Sequence, residues 1–173
     1  SAVPKAQKKR MDILNVSFFD WDGDVLYKGG AERYVVDLAQ IAKELGCEVR
    51  ILQNANRNFE REYRGTPVLG RKGPPNWNME LMSRRLSEDI LLSDIVVASP
   101  TELACAIPGS QHVIGINHGI HWDDTATRHD VPRNHSNLVA AVGRCNEVVC
   151  VDTNFVNWFR TVDWSLSEKL RYV

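Results

Sequence analysis

The sequence is short of cysteine, of long apolar runs and of net charge, and each shortage excludes a class of protein. Its four cysteines, Cys47, Cys105, Cys145 and Cys150, stand far apart or inside apolar runs and form no C-x-x-C pair. That argues against a zinc site and a disulfide framework, and reduced, buried thiols are the expectation. No window reaches the roughly 18–20 consecutive apolar residues of a membrane-spanning helix, and no signal-peptide pattern precedes the first apolar run. The expected location is therefore cytoplasmic, with peripheral association at a membrane surface left open. A formal net charge of −1 over 173 residues supplies no field for a polyanion, so nucleic acid is not an expected partner. Neither G-x-G-x-x-G nor G-x-x-x-x-G-K-[ST] occurs, which weakens dinucleotide and P-loop readings.

What is present is enough for one core. The chain is 43% hydrophobic and 25% charged, the balance of an ordinary globular domain. The basic stretch "PKAQKKR" precedes the first apolar run, and residues 1–11 read as a flexible, solvated leader to a domain over 12–173. Residues 12–19, "DILNVSFF", read as a strand that ends in the polar, glycine-containing "DWDGDVLYKGG". From Ala31 the apolar residues Ala31, Tyr34, Val35, Leu38, Ile41, Ala42 and Leu45 recur at helical spacing, Gly46 caps that helix, and "CEVRIL" forms the next strand. Residues 53–77 carry no sustained period and many turn formers, which suggests a functional or mobile connection.

Beyond it, "NMELMSRRLSEDILL" reads as a helix, "IVVAS" as a buried strand, "PTELACAI" as a short helix and "HVIGI" as a strand. "NHSNLVAAVGRC" then reads as a helix, "EVVCV" as a strand and "TNFVNWFR" as a helix capped by Thr153. Helices alternating with short apolar strands predict an α/β domain, a Rossmann-like open parallel sheet with helices on both faces.

In such sheets ligands bind beyond the carboxyl ends of the strands, so the loops there carry the candidate chemistry. Gly29 and Gly30 stand at a helix N-terminus, where unsatisfied N–H groups and the helix dipole favour an anion, and bare backbone lets a phosphate or sugar approach; a tight strand-to-helix turn is the plainer alternative. The loop "NHGIHWDD" gathers Asn117, His118, Gly119, His121, Asp123 and Asp124. His118 and His121, three positions apart with no further ligand pattern, make a poor zinc pair, and the two aspartates read as solvated. His118, two residues past an apolar strand, either projects into the cleft as a hydrogen-bonding or proton-carrying group or packs beneath its loop.

Together "KGGAERYVVDLAQIAKELGCEVRIL", "DIVVASP", "VIGINHGIHWD" and "CNEVVCVDTNFVNWF" resemble the N-terminal half of family-four retaining glycosyltransferases with the GT-B fold. The resemblance implies a two-lobed enzyme in which this lobe mainly holds a glycan, lipid or small-molecule acceptor and a C-terminal lobe mainly holds the nucleotide-sugar donor. It implies that Gly29 and Gly30 approach the diphosphate and sugar, that His118 and Gly119 lie near the transferred sugar, and that no metal or other cofactor is needed. Asp20, Trp21, Glu102 and Thr153 are substrate-binding candidates from their places after strands. The family's donor lobe, with its Arg/Lys pair and E-x7-E segment, has no counterpart before "SEKLRYV", where the interdomain linker would begin, so the isolated domain is expected to be inactive. The alternatives are a non-catalytic Rossmann-like module that binds a phosphorylated ligand or sugar, and another Rossmann-type enzyme.

Overall fold

The computed structural model describes residues 2–4, 7–119 and 131–173. Eight strands form one sheet: β1 (Arg10–Asn15), β2 (Glu48–Ala55), β3 (Phe59–Tyr63), β4 (Thr66–Lys72), β5 (Ile95–Ser99), β6 (His112–Asn117), β7 (Glu147–Cys150) and β8 (Leu170–Tyr172). Among the described residues four α-helices accompany them: α1 (Gly30–Glu44), α2 (Met79–Ser87), α3 (Val131–Arg144) and α4 (Thr153–Val162). The strand order is β3-β4-β2-β1-β5-β6-β7-β8. Every pair is parallel except β3 with β4. The domain is thus α/β and Rossmann-like, and the order leaves β1 in opposite directions towards β2 and β5, which places a topological switch point between β1 and β5.

Alternation along the strands divides the core between the two faces of the sheet. Met11, Ile13, Val49, Ile51 and Val97 meet Val35, Ala39 and Ala42 of α1 on one face. Leu14, Leu52, Val96 and Ala98 meet α2, α3 and α4 on the other, through Met82, Leu86, Leu138, Phe155 and Phe159 among others. The buried stripe of α1 is narrower than the sequence pattern suggests, because Ile41 and Leu45 face solvent.

Several boundaries differ from the sequence reading for local reasons. β1 starts at Arg10, inside the expected leader, since Met11 is buried and Arg10 pairs with Glu48. Residues 53–77 are not a structureless connection: β2 runs on to Ala55, and a hairpin follows it. Its two-residue turn is Arg64–Gly65, both at positive φ (50° and 77°), the backbone that the right-handed twist of a hairpin favours. An arginine in that turn hides the motif from a sequence search. The antiparallel β3 exposes Glu60, Arg61 and Glu62, and charges on an edge strand oppose further pairing. Residues 170–172, expected to lead into a linker, pair with β7. The cap of α4 is Asp152 rather than Thr153, because its side chain accepts the Asn154 N–H at 2.9 Å.

The amino end of the sheet is held by a buried ion pair. Asp12 on β1 and Arg50 on β2 are register neighbours, joined by two hydrogen bonds of 2.8 Å, with Asp12 1% exposed. Ser93 donates to the same carboxylate, and Arg50 also reaches the Asp89 carbonyl just after α2 at 3.1 Å. Removing one member of such a pair strands a buried charge and costs more than the pair contributes. Arg50→Ala is expected to destabilise the domain by about 3 kcal/mol, and Asp12→Val combined with Arg50→Met to recover most of it. Chemical denaturation of the three proteins checks this; equal losses in the single and double variants would contradict it.

Candidate functional site

A cleft of about 470 Å³ opens at the carboxyl ends of β1, β5 and β6, at the switch point and within the size range of small-ligand sites. Its floor comes from the strand exits. At β1, the Asn15 side chain accepts the Ser17 N–H at 2.9 Å. At β6, Asn117 does the same for Gly119 at 2.9 Å. Each amide thereby turns the chain sharply as it leaves the sheet. Gly119 has φ +126°, a backbone that side chains rarely adopt, so here glycine is required by conformation.

Gln53, fully buried on β2, fixes the segment after β1. Its Oε1 accepts the N–H groups of Phe18 and Phe19 at 3.0 and 2.6 Å, and its Nε2 donates to the carbonyls of Phe19 and Asn54 at 3.0 and 2.9 Å. All four hydrogen-bonding positions of this amide are thus in use.

His118 stands on the cleft wall. Its Nε2 lies 2.8 Å from the Ser99 hydroxyl at the end of β5, and the Tyr34 ring of α1 meets the imidazole edge to face at 5.8 Å. A hydroxyl and an aromatic ring on different elements therefore fix the imidazole orientation, while its position in the lining leaves it within reach of a ligand. Glu102 lines the same cleft from the short 3-10 helix Thr101–Ala104, and Asn134, His135 and Asn137 line it from α3. The His135 ring packs on Trp158 of α4 at 5.1 Å.

The other candidates divide. Gly119 and Glu102 border the cleft with His118. Gly29 is the N-cap of α1 and Gly30 its first residue; both are exposed, and the cleft lining begins at Ala31 and Glu32 beside them. The Glu32 carboxylate lies over Gly29, where an added Cβ would strike it. A carboxylate at a helix N-terminus is well placed in the dipole field, and an incoming anion has to displace it. Neither glycine has positive φ, so the backbone there does not demand them.

Asp20, Trp21 and Thr153 are not among the described residues lining the cleft. The Asp20 carboxylate accepts the N–H groups of Asp24 and Val25 at 2.7 and 3.1 Å, and these bonds, Val25's foremost, hold it below the usual carboxylate range; it builds its own turn. Trp21 donates to the Val16 carbonyl at 3.2 Å and packs on the core. Thr153 is exposed at the start of α4. His121, Asp123 and Asp124 lie outside the described residues.

Sequence reasoning passed over Ser17, Ser99, Asn134, His135, Asn137 and Trp77, all in the lining. A signal existed for Ser99, a hydroxyl closing an apolar strand. None existed for Trp77, which stands in the segment between β4 and α2. Among the described residues no group of three or more metal-ligating side chains gathers, and no helix is long and apolar enough to cross a membrane.

Fold and cleft together define a Rossmann-like domain with a largely apolar cleft at its strand exits, bordered by amides, hydroxyls, imidazoles and the carboxylates of Glu32 and Glu102. No protein-family model and no curated protein matches the chain by sequence. Solved structures share its fold. One is the catalytic domain of starch synthase IV from Arabidopsis thaliana, bound to ADP and acarbose: TM-score 0.60, 13% identity, 97% of this chain and 51% of that one covered. Another is HepE of Anabaena in complex with UDP-glucose: TM-score 0.56, 13% identity, 95% of this chain and 43% of that one covered. The chain spans about half the length of each.

Because an added Cβ at Gly30 meets nothing within 4 Å, Gly30→Ala is expected to leave the melting temperature unchanged or raise it slightly, as removing a glycine from an unstrained position does. Thermal melting checks this. A marked drop would mean that the α1 N-terminus needs glycine for its backbone.

Proposed function

We propose that this chain is the acceptor-side lobe of a retaining glycosyltransferase of the GT-B type, which moves a sugar from a nucleotide-sugar donor to a glycan, lipid or small-molecule acceptor. The observation that carries the reading is His118, oriented by Ser99 and Tyr34 at the lip of a cleft at the switch point, in the H-G position that the resemblance marks as close to the transferred sugar. The fold shared with the starch synthase domain and HepE, each about twice as long, supports a second lobe that faces this one and holds the donor. That lobe would supply the cations for the leaving nucleoside diphosphate, for such electrostatic stabilisation is commonly the largest catalytic term.

In this mechanism the lobe holds the acceptor hydroxyl on the face of the donor sugar that the nucleoside diphosphate leaves, as retention requires, so that the hydroxyl proton passes to the departing phosphate, and it excludes water. His118 hydrogen-bonds the transferred sugar, with Ser99 Oγ on its Nε2 setting the ring's orientation. A hydrogen bond that strengthens as charge develops lowers the barrier, whereas one made equally in the ground state does not. Ser99 is a positioning residue, since it acts through His118.

The experiment joins this chain to its donor-binding lobe and measures transfer. His118→Ala is expected to lower kcat by roughly 10²-fold with an unchanged melting temperature, Ser99→Ala to lower it less, and the chain alone to give no transfer above background. Wild-type kcat in His118→Ala would remove the catalytic assignment, and robust transfer by the chain alone would remove the two-lobe reading. A second reading, a sugar-binding module without catalysis, is favoured by the lack of lysine and arginine among the described lining residues. Absence of transfer by every pairing with a donor lobe would support it.

A further inference from the structure

The cleft's lining discriminates between ligand chemistries. Its charged residues among those described are the carboxylates Glu32 and Glu102, with no lysine or arginine beside them. Such a wall repels a phosphate or a carboxylate. The remaining polar groups, Ser17, Asn134 and Asn137 among them, can each donate and accept, and so suit hydroxyl groups, which do the same.

One wall differs from the rest. Trp77 lines the cleft yet is 65% exposed, an indole surface largely open to solvent. Its position is nonetheless fixed. Its ring centroid lies 6.0 Å from that of Trp21, at an interplanar angle of 42°, and Trp21 is itself anchored to Val16 and the core. On its amino side Asn54 Nδ2 donates to the Pro74 carbonyl at 3.1 Å. On its carboxyl side Asn78 caps α2 through the Leu81 N–H at 3.0 Å. An ordered aromatic face opposite amides and hydroxyls matches a ring that has an apolar C–H face and a polar hydroxyl rim.

We propose that the cleft binds an uncharged saccharide with the C–H face of one sugar ring against the Trp77 indole, and that the carboxylates of Glu32 and Glu102 disfavour anionic ligands there. The saccharide's role as acceptor rests on the glycosyltransferase reading; its binding does not. A nucleobase also stacks on indole, but it would bring its phosphates to a wall of carboxylates.

The test follows the Trp77 indole N–H by NMR in the 173-residue chain, assigned by its loss in Trp77→Phe, during titration with maltotriose, cellotriose, chitotriose and, separately, UDP. At least one trisaccharide is expected to shift it saturably while UDP does not. Measured by calorimetry, Trp77→Ala is expected to weaken that saccharide roughly tenfold or more and Trp77→Phe to restore most of the affinity, with melting temperatures unchanged. The proposal is overturned if no trisaccharide gives a saturable shift, if UDP gives the stronger one, or if Trp77→Ala binds as wild type. Saccharide binding through Trp77 by a protein that never transfers sugar would sink the transferase reading and leave this site standing. Transfer whose acceptor KM ignores Trp77→Ala would do the reverse.

Discussion

The structure around the cleft depends on one side chain, the amide of Gln53. It sits in the interior of a parallel sheet, where an unsatisfied amide would cost several kcal/mol, and it satisfies itself on the backbone of Phe18, Phe19 and Asn54. In doing so it fixes the path by which the chain leaves β1. Ser17 is thereby set at the cleft, Phe18 is placed in the core against Tyr63, and Trp21 stands where it can back Trp77. A hydrophobe at 53 would suit the strand pattern and leave the exit of β1 without its partner.

The two ends of the sheet use polarity differently. At the amino end the polar groups are ionic and closed on one another, with Asp12, Arg50 and Ser93 joined across β1, β2 and the approach to β5. Beside it, Arg71, from near the carboxyl end of β4, and Arg85 of α2 both meet Asp89 at 3.1 Å. That arrangement anchors α2 and offers nothing to a ligand. At the carboxyl end the polar groups are mainly neutral amides, hydroxyls and imidazoles. Asn15 and Asn117 spend their carbonyl oxygens on backbone N–H groups two residues on, which shapes the rim, while other residues of the lining face the cleft. The buried cysteines join neither set of polar contacts; burial pushes the Cys145 thiol up to about 12 and the Cys150 thiol up to about 11, which keeps them protonated and unreactive.

Much of the fold was legible because strands buried on both faces are continuous apolar runs and the helices between them keep their period. "IVVAS", "HVIGI" and "EVVCV" lie within a residue of β5, β6 and β7. The hairpin was not legible. Its strands, "FEREY" and "TPVLGRK", carry no clean alternation of apolar and polar residues, and its turn uses arginine where glycine or asparagine would signal it. The site was legible in part: His118, Gly119 and Glu102 follow strands directly and reach the cleft, whereas Asp20 and Trp21 follow β1 but are turned away by their own hydrogen bonds.

The sequence by itself determined the alternation of strand and helix, the Rossmann-like class, the capping Gly46 at φ +90° and the loops where a ligand could meet the protein, because all of these follow from local periodicity and backbone preference. Tertiary structure alone decided the cleft's character. Ser99 beside His118, Tyr34 edge-on to the same ring, the Glu32 carboxylate over Gly29 and Trp21 behind Trp77 join residues that different elements carry. Such contacts depend on strand order, register and helix placement, which no local pattern encodes. The paired glycines looked like an anion site in isolation; the fold sets the Glu32 carboxylate over Gly29, and the described lining of the cleft beside them holds no lysine or arginine.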